Sequence, residues 1–246
     1  MALLDIKDLR VEFPSRRGHV VAIQNLTIDL HAGEILGVVG ESGAGKSTIG
    51  NAVIGLLEPP GERTAGQISL DGRRIDQLAA DAMRAIRGRR IGMIFQDPLT
   101  SLDPLQTIEQ QLVKTIDHHL QLGAAKSRAR AVELLTQVGI PDPEVRIAQY
   151  PHQFSGGMRQ RVVIALALCA DPQLIIADEP TTALDVSVQA QILELMKELC
   201  RSHNVGMILI THDMGVIAET ADRVAVMYRG RVVETGTTAQ IIGAPE

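Results

Sequence analysis

Eight residues, Gly40-Glu41-Ser42-Gly43-Ala44-Gly45-Lys46-Ser47, place three glycines, a lysine and a hydroxyl at the spacing G-x-x-x-x-G-K-[ST]. Glycine lets a loop curl until successive backbone N–H groups point at one spot, where they can hold phosphate oxygens. A helix starting directly behind adds the positive end of its dipole. Lys46 is the group that reaches β- and γ-phosphates, the Ser47 hydroxyl suits Mg²⁺, and Thr48 counts with the loop as a nucleotide-side residue. The chemistry expected of this segment is nucleoside triphosphate binding.

Two further sets of polar residues close apolar runs. Leu174-Ile175-Ile176-Ala177 ends in Asp178-Glu179, and Met207 to Ile210 leads into Thr211-His212-Asp213. In an open α/β sheet the carboxyl ends of the strands face the ligand crevice. Asp178 then suits Mg²⁺, Glu179 can polarise an attacking water, and His212 can donate a hydrogen bond to a γ-phosphate. A fourth segment, Phe154-Ser155-Gly156-Gly157-Met158-Arg159-Gln160-Arg161, opens a helix, so Ser155 and the N–H groups of Gly156 and Gly157 form a second anion site.

The elements that must hold these groups follow from apolar periodicity. Ile35 to Val39 is a short continuous apolar run, the pattern of a strand buried on both faces. Behind Gly45 the period turns helical, with Ile49, Val53, Leu56 and Leu57 on one side, and Glu58-Pro59-Pro60-Gly61 is the expected stop. Asp71-Gly72 reads as a hairpin turn. From about Thr107 to Val138 the chain is mostly helical, ending at Gly139, Pro141 and Pro143. Thereafter helices from Gly156 and Val186 alternate with strands at 174–177, 207–210 and 224–227, which predicts a parallel sheet covered by helices.

Bulk properties limit the alternatives. At 246 residues with 45% hydrophobic and 22% charged residues, the chain has ample material for a buried core. A net charge of −5 gives no general attraction to nucleic acid. Cys169 and Cys200 match no metal spacing and read as small buried hydrophobes. His118, His119, His152 and His203 lack a comparable context and read as surface residues. The longest apolar stretch, Val162 to Ala170, is far short of the roughly 20 residues that span a bilayer, so any membrane role requires other chains.

The Ser155-Gly156-Gly157 segment resembles the LSGGQ signature of ATP-binding-cassette (ABC) ATPases. It begins with Phe154 where Leu is usual and carries Met158 where Gln is usual; neither change alters the backbone donors. Gln96 resembles the family's Q-loop glutamine, which senses Mg²⁺ and water. Ala183-Leu184-Asp185 resembles the D-loop at the dimer seam, and His212 the switch histidine. Phe13 stands where an aromatic residue stacks on adenine, with Val20 or His19 as alternatives for that place. The stretches 150–162 and 178–191, together with Gln96-Asp97-Pro98-Leu99-Thr100-Ser101-Leu102-Asp103-Pro104, are similar to the dipeptide/oligopeptide/nickel importer branch.

The resemblance implies an α/β fold with a P-loop NTPase (RecA-like) core, an N-terminal antiparallel β-subdomain and an inserted helical subdomain. As one nucleotide-binding domain over 1–246, the β-subdomain and core would occupy about 1–95 and 160–246, and the helical subdomain about 96–159. It implies ATP and Mg²⁺ as ligands, with Lys46, Gln96, Glu179 and His212 in hydrolysis and Ser47, Gln96 and Asp178 at the metal. It also implies a head-to-tail pair of cassettes, homo- or heterodimeric, in which Ser155, Gly156, Gly157 and Asp185 of one chain complete the partner's site. Integral membrane permease subunits, an indirectly linked substrate-binding protein, a place on the cytoplasmic side of the cell membrane and no nucleic-acid partner complete the expectation. Peptide-type members of this branch often run on into a cysteine-rich tail, which implies a longer parent chain or a tandem cassette. A nickel or other small-solute importer, and a non-transport ABC ATPase acting on nucleic acid, are the alternatives. A GTPase is disfavoured, because no Asn-Lys pair occurs.

Overall fold

The computed structural model describes residues 2–15, 18–182 and 184–243; the Leu99 side chain, Ala183 of the D-loop segment and the terminal Ala244-Pro245-Glu246 lie outside the described residues. Two long strands open the fold, β1 (Leu4–Ser15) and β2 (Gly18–Leu30), followed by the short buried strand β3 (Ile35–Gly40) and helix α1 (Lys46–Val53). Next come β4 (Glu62–Leu70), β5 (Arg73–Arg74), α2 (Ala80–Ile86) and β6 (Ile91–Ile94). A helical stretch follows: α3 (Pro98–Ser101), α4 (Ile108–Leu120), α5 (Ala124–Gln137) and α6 (Pro143–Arg146). The chain then alternates through α7 (Gly156–Leu168), β7 (Leu174–Asp178), α8 (Val186–His203), β8 (Gly206–Thr211), α9 (Met214–Thr220), β9 (Arg223–Tyr228), β10 (Arg231–Thr237) and α10 (Thr238–Gly243).

The strands form two sheets. One is antiparallel in the order β2-β1-β4-β5, and the other runs β10-β9-β3-β8-β7-β6 with every pair parallel except β10 against β9. Strand alternation sends successive side chains of the parallel sheet to opposite faces. Leu36, Val38, Leu174, Ile176, Ile208 and Ile210 join the core shared with α1 and the antiparallel sheet. Ile35, Val39, Ile175, Ala177, Met207 and Leu209 join the core under α4, α5, α7 and α8. Burial on both faces is why these strands read as unbroken apolar runs. Both cysteine thiols lie in the second core, and burial pushes each up to about 12.

Two local readings are corrected, and one further strand was not expected. Helix α1 stops at Val53, a turn earlier than expected, because Gly55 (φ +63°) takes the left-handed position and Leu56 N–H returns to the Asn51 carbonyl at 2.8 Å. Leu56 is therefore exposed beyond the helix end. Strand β10 gave no apolar signal because it is an edge strand whose residues alternate between exposed and half-buried. His119 is not a surface residue: its ring is half-buried against Gly88, and burial holds its pKa below the ordinary value.

A buried carboxylate locks the antiparallel sheet. Asp76, whose side chain has no exposure, accepts from Ile68 N–H (3.1 Å) and from Arg74 Nε (3.0 Å) and Nη2 (2.6 Å), and lies 3.3 Å from Arg63 Nη2. Burial alone would raise its pKa, but the Arg74 guanidinium, the Ile68 N–H and Arg63 outweigh burial and hold it below the ordinary value. A carboxyl depressed in the folded state contributes stability that is present above its unfolded pKa, about 3.9, and is lost as pH falls through the lower folded value. Asp76→Asn is expected to cost about 2 kcal/mol in urea denaturation at neutral pH. The same variant should lack this group's share of the acid-side loss.

Candidate functional site

Strand order alone assembles the chemistry. β3, β8, β7 and β6 lie side by side, at about 4.8 Å per step. Their carboxyl ends deliver, in that lateral order, the Gly40 loop, His212, the Asp178-Glu179 pair and Gln96. The result is a cleft of about 600 Å³ that takes in Ser42, Gly43, Gly45, Lys46, Ser47 and Thr48 together with Gln96, Glu179 and His212. Residues separated by more than 160 positions in sequence are neighbours here.

The loop curls as its glycines require. Gly45 sits at φ +95°, and a Cβ there would lie 2.4 Å from the Ala22 carbonyl oxygen, so no other residue fits without moving backbone. Lys46, only 6% exposed, folds its ammonium back over the loop and donates to the carbonyls of Gly40 (2.8 Å) and Glu41 (2.9 Å). Helix α1 begins at this lysine, so its N–H groups face the same cleft. A tight glycine cradle, a lysine and a helix N-terminus form a donor set that fits a phosphate chain.

Parity decides where the carboxylates go. Asp178 follows Leu174 and Ile176 on the α1 face, and there it accepts a 3.0 Å hydrogen bond from Ser47 Oγ. Burial pushes its pKa up, and the neighbouring Glu179 charge adds to this against the Ser47 hydrogen bond and Lys46. Among the described residues no group of three or more His, Cys, Asp or Glu forms a metal cage. Ser47 and Asp178 instead supply two hard oxygens, the partial set that Mg²⁺ takes when substrate and water provide the rest.

Glu179 leaves the strand with φ +45° and N–H bonded to the Ile210 carbonyl at 2.9 Å. Its carboxylate is held from three sides: Gln96 Nε2 donates to Oε2 at 3.1 Å, Thr182 Oγ1 donates to Oε2 at 2.9 Å, and His212 Nδ1 lies 3.1 Å from Oε1. Burial alone would raise its pKa, but the His212 and Thr182 hydrogen bonds outweigh burial and hold Glu179 below its ordinary value. A carboxyl kept ionised beside a phosphate cradle is able to accept a proton from water at neutral pH. Thr182 was missed as a participant: its hydroxyl reaches Glu179 only because the chain turns back on itself after β7, and residue type gives no hint of that.

The remaining expected residues do not line this cleft. Ser155 caps α7, accepting from Met158 N–H at 3.3 Å, and Asp185 caps α8 by position. The two helix starts touch, since a Cβ on Gly157 would lie 2.6 Å from Val188 Cγ1 and one on Gly156 would lie 3.7 Å from Leu184. Phe13 packs against the core of the antiparallel sheet and so close to Gly61 that a Cβ there would meet its ring at 2.5 Å. Val20, its strand partner, is 57% exposed, and His19 stands near Glu12 at 3.6 Å.

A family model described as ABC transporter matches residues 23–182. The chain belongs to the ABC transporter family. It is 52% identical over 244 residues to the oligopeptide transport ATP-binding protein OppD of Bacillus subtilis (strain 168), a match covering 99% of this chain and 68% of that protein. With the dipeptide transport ATP-binding protein DppD of the same organism, identity is 49% over 99% of this chain and 73% of the relative. The peptidoglycan transport ATP-binding protein YejF of Agrobacterium fabrum is also 49% identical over 99% of this chain, which spans only 45% of that protein.

Solved ABC cassettes share the architecture. A dimeric post-hydrolysis state of the cassette MJ0796 bound to ADP and Pi superposes with a TM-score of 0.84 at 28% identity, covering 96% of this chain and 98% of that one. CbiO1 from Clostridium perfringens, part of the ABC transporter complex cbiONQ, gives 0.85 at 27% identity over 99% and 91%. The expected α/β P-loop fold and ABC ATPase class are borne out. No helix among the described residues is long and apolar enough to cross a membrane.

Proposed function

We propose that this ABC ATPase powers an importer of di- and oligopeptides. The cassette pairs with a second cassette at the cytoplasmic face of the cell membrane, against permease subunits that receive cargo from a substrate-binding protein. The observation that carries the ATPase half is the ionised Glu179, held by Gln96, Thr182 and His212 beside the Lys46 loop. The cargo half is supported by the 52% identity to an oligopeptide transport subunit along 99% of this chain.

In this reading each side chain has a task. Loop N–H groups from Gly40 to Thr48 and the Lys46 ammonium bind the β- and γ-phosphates of ATP. Ser47 and Asp178, together with Gln96, would hold Mg²⁺. The chemistry that Mg²⁺ would supply there is neutralisation of charge developing on the phosphate oxygens. Glu179 accepts a proton from water as the water oxygen bonds to the γ-phosphorus and the bond to the β–γ bridging oxygen breaks, releasing ADP. His212 donates to the γ-phosphate. Ser155, Gly156, Gly157 and Asp185 complete the partner chain's site, and Phe13 is assigned to the adenine side. The helical part, 96–159, acts as a subdomain that passes movement from Gln96 to the permease.

Uptake of a labelled short peptide and of nickel separates the cargo readings, in cells lacking the gene and in cells carrying Glu179→Gln. Loss of peptide uptake alone in both strains is the expected result. Loss of nickel uptake alone would move the chain to metal import, and no loss of either would overturn the importer reading.

A further inference from the structure

The turn joining β9 to β10, Tyr228-Arg229-Gly230-Arg231, lies outside the residues that the family model matches, and no motif above includes it. It is nevertheless bonded to the phosphate loop. Gly230 N–H donates to the Ala44 carbonyl at 3.0 Å, and the Gly230 carbonyl accepts from Gln24 N–H at 2.7 Å. Arg231 Nε reaches the Gln24 side-chain oxygen at 3.0 Å. Between these bonds sits the Ala22 carbonyl oxygen, which would lie 2.4 Å from a Cβ on Gly45 and 2.6 Å from a Cβ on Gly230. Three backbone segments thus meet at one oxygen with no side chain between them.

Sheet pairing explains the meeting. β3 and β9 are paired up to Gly40 and Met227, so the phosphate loop and the turn leave the sheet side by side. Arg229 (φ +46°) and Gly230 (φ +78°) are consecutive left-handed residues, the type I′ geometry that folds a two-residue hairpin tightly enough to reach back to the loop. A loop rich in glycine has many conformations, and only those with converging N–H groups bind phosphate well. Holding the Ala44-Gly45 peptide in place before the ligand arrives lowers the ordering cost of binding.

We propose that the Arg229-Gly230 turn is a positioning element for ATP: through Gly230 and Ala22 it fixes the orientation of the Ala44-Gly45 peptide in the phosphate loop. The inference rests on the reading of that loop as the ATP site. Glu179, Gln96 and His212 follow the ends of β7, β6 and β8, strands that do not pair with β9 or β10, so the element governs affinity and leaves the chemical step alone.

The test compares ATP affinity, KM, kcat and Tm in the wild-type chain and three variants. Gly230→Ala places a Cβ against the Ala22 carbonyl and should weaken ATP binding and raise KM by about tenfold, with kcat within about threefold of wild type. Gly123→Ala is the control: Gly123 also has positive φ (+79°), but a Cβ there would meet nothing within 4 Å, and the change should lower Tm without moving KM. Gln24→Ala removes the side-chain tie to Arg231 without changing any residue of the turn and should raise KM by about two- to threefold. Wild-type affinity in Gly230→Ala, or a fall in kcat at unchanged KM, overturns the inference. If Gly230→Ala does not fold, unchanged affinity in Gln24→Ala does so. A wild-type chain that binds no ATP would instead remove the proposed function beneath it.

Discussion

Glu179→Gln is expected to bind ATP at least as tightly as the wild-type chain while hydrolysing it roughly a thousandfold more slowly. The amide keeps the size of the carboxylate, so the cleft formed with Gln96, Thr182 and His212 stays filled. What disappears is the acceptor for the water proton. The substitution also removes a negative charge beside Asp178, whose pKa that charge pushes upward, and relief of that repulsion favours the bound phosphates and metal. Single-turnover phosphate release and a separate nucleotide titration check the two halves independently. A rate near wild type would remove Glu179 from the base role and leave His212 as the next group to test.

Mixing two inactive variants should restore activity. Lys46→Ala removes the ammonium from the phosphate loop, and Gly157→Asp sets a carboxylate at the α7 start, where its Cβ would lie 2.6 Å from Val188 Cγ1. Each homodimer then has two defective sites. In a mixed dimer both lesions fall in the same composite site, and the other site joins an intact loop to an intact helix start. Equal mixing makes about half the dimers mixed, each with one whole site, so about a quarter of wild-type ATPase should return if each whole site works alone. The recovered rate, measured against the ratio of the two variants, is the readout. No recovery at any ratio would argue that each chain completes its own site.

How far the sequence was legible depended on how local each signal was. The strand at 35–39, the glycine loop and the helix behind it are contiguous, so type and spacing sufficed. The strands ending at Asp178 and Thr211 were legible because burial on both faces writes continuous apolar runs. β10, polar and on an edge, writes none. The end of α1 was misplaced because Leu56 and Leu57 keep helical spacing beyond Gly55, and it is the glycine's left-handed backbone that ends the helix. Thr182 and Gly230 were beyond reach for another reason: each acts through a contact that exists only once separate strands are side by side.

The strand order has a mechanical consequence. β3, which carries the phosphate loop, is clamped between β8 and β9, whereas β6, which leads to Gln96, is an edge strand paired with β7 on one side. The site is therefore a vice with one fixed jaw and one jaw held on a single side. The fixed jaw grips phosphate in a backbone tied on both flanks. The second jaw is rooted in one ladder, and Gln96 just beyond its end meets Glu179 through a single side-chain amide.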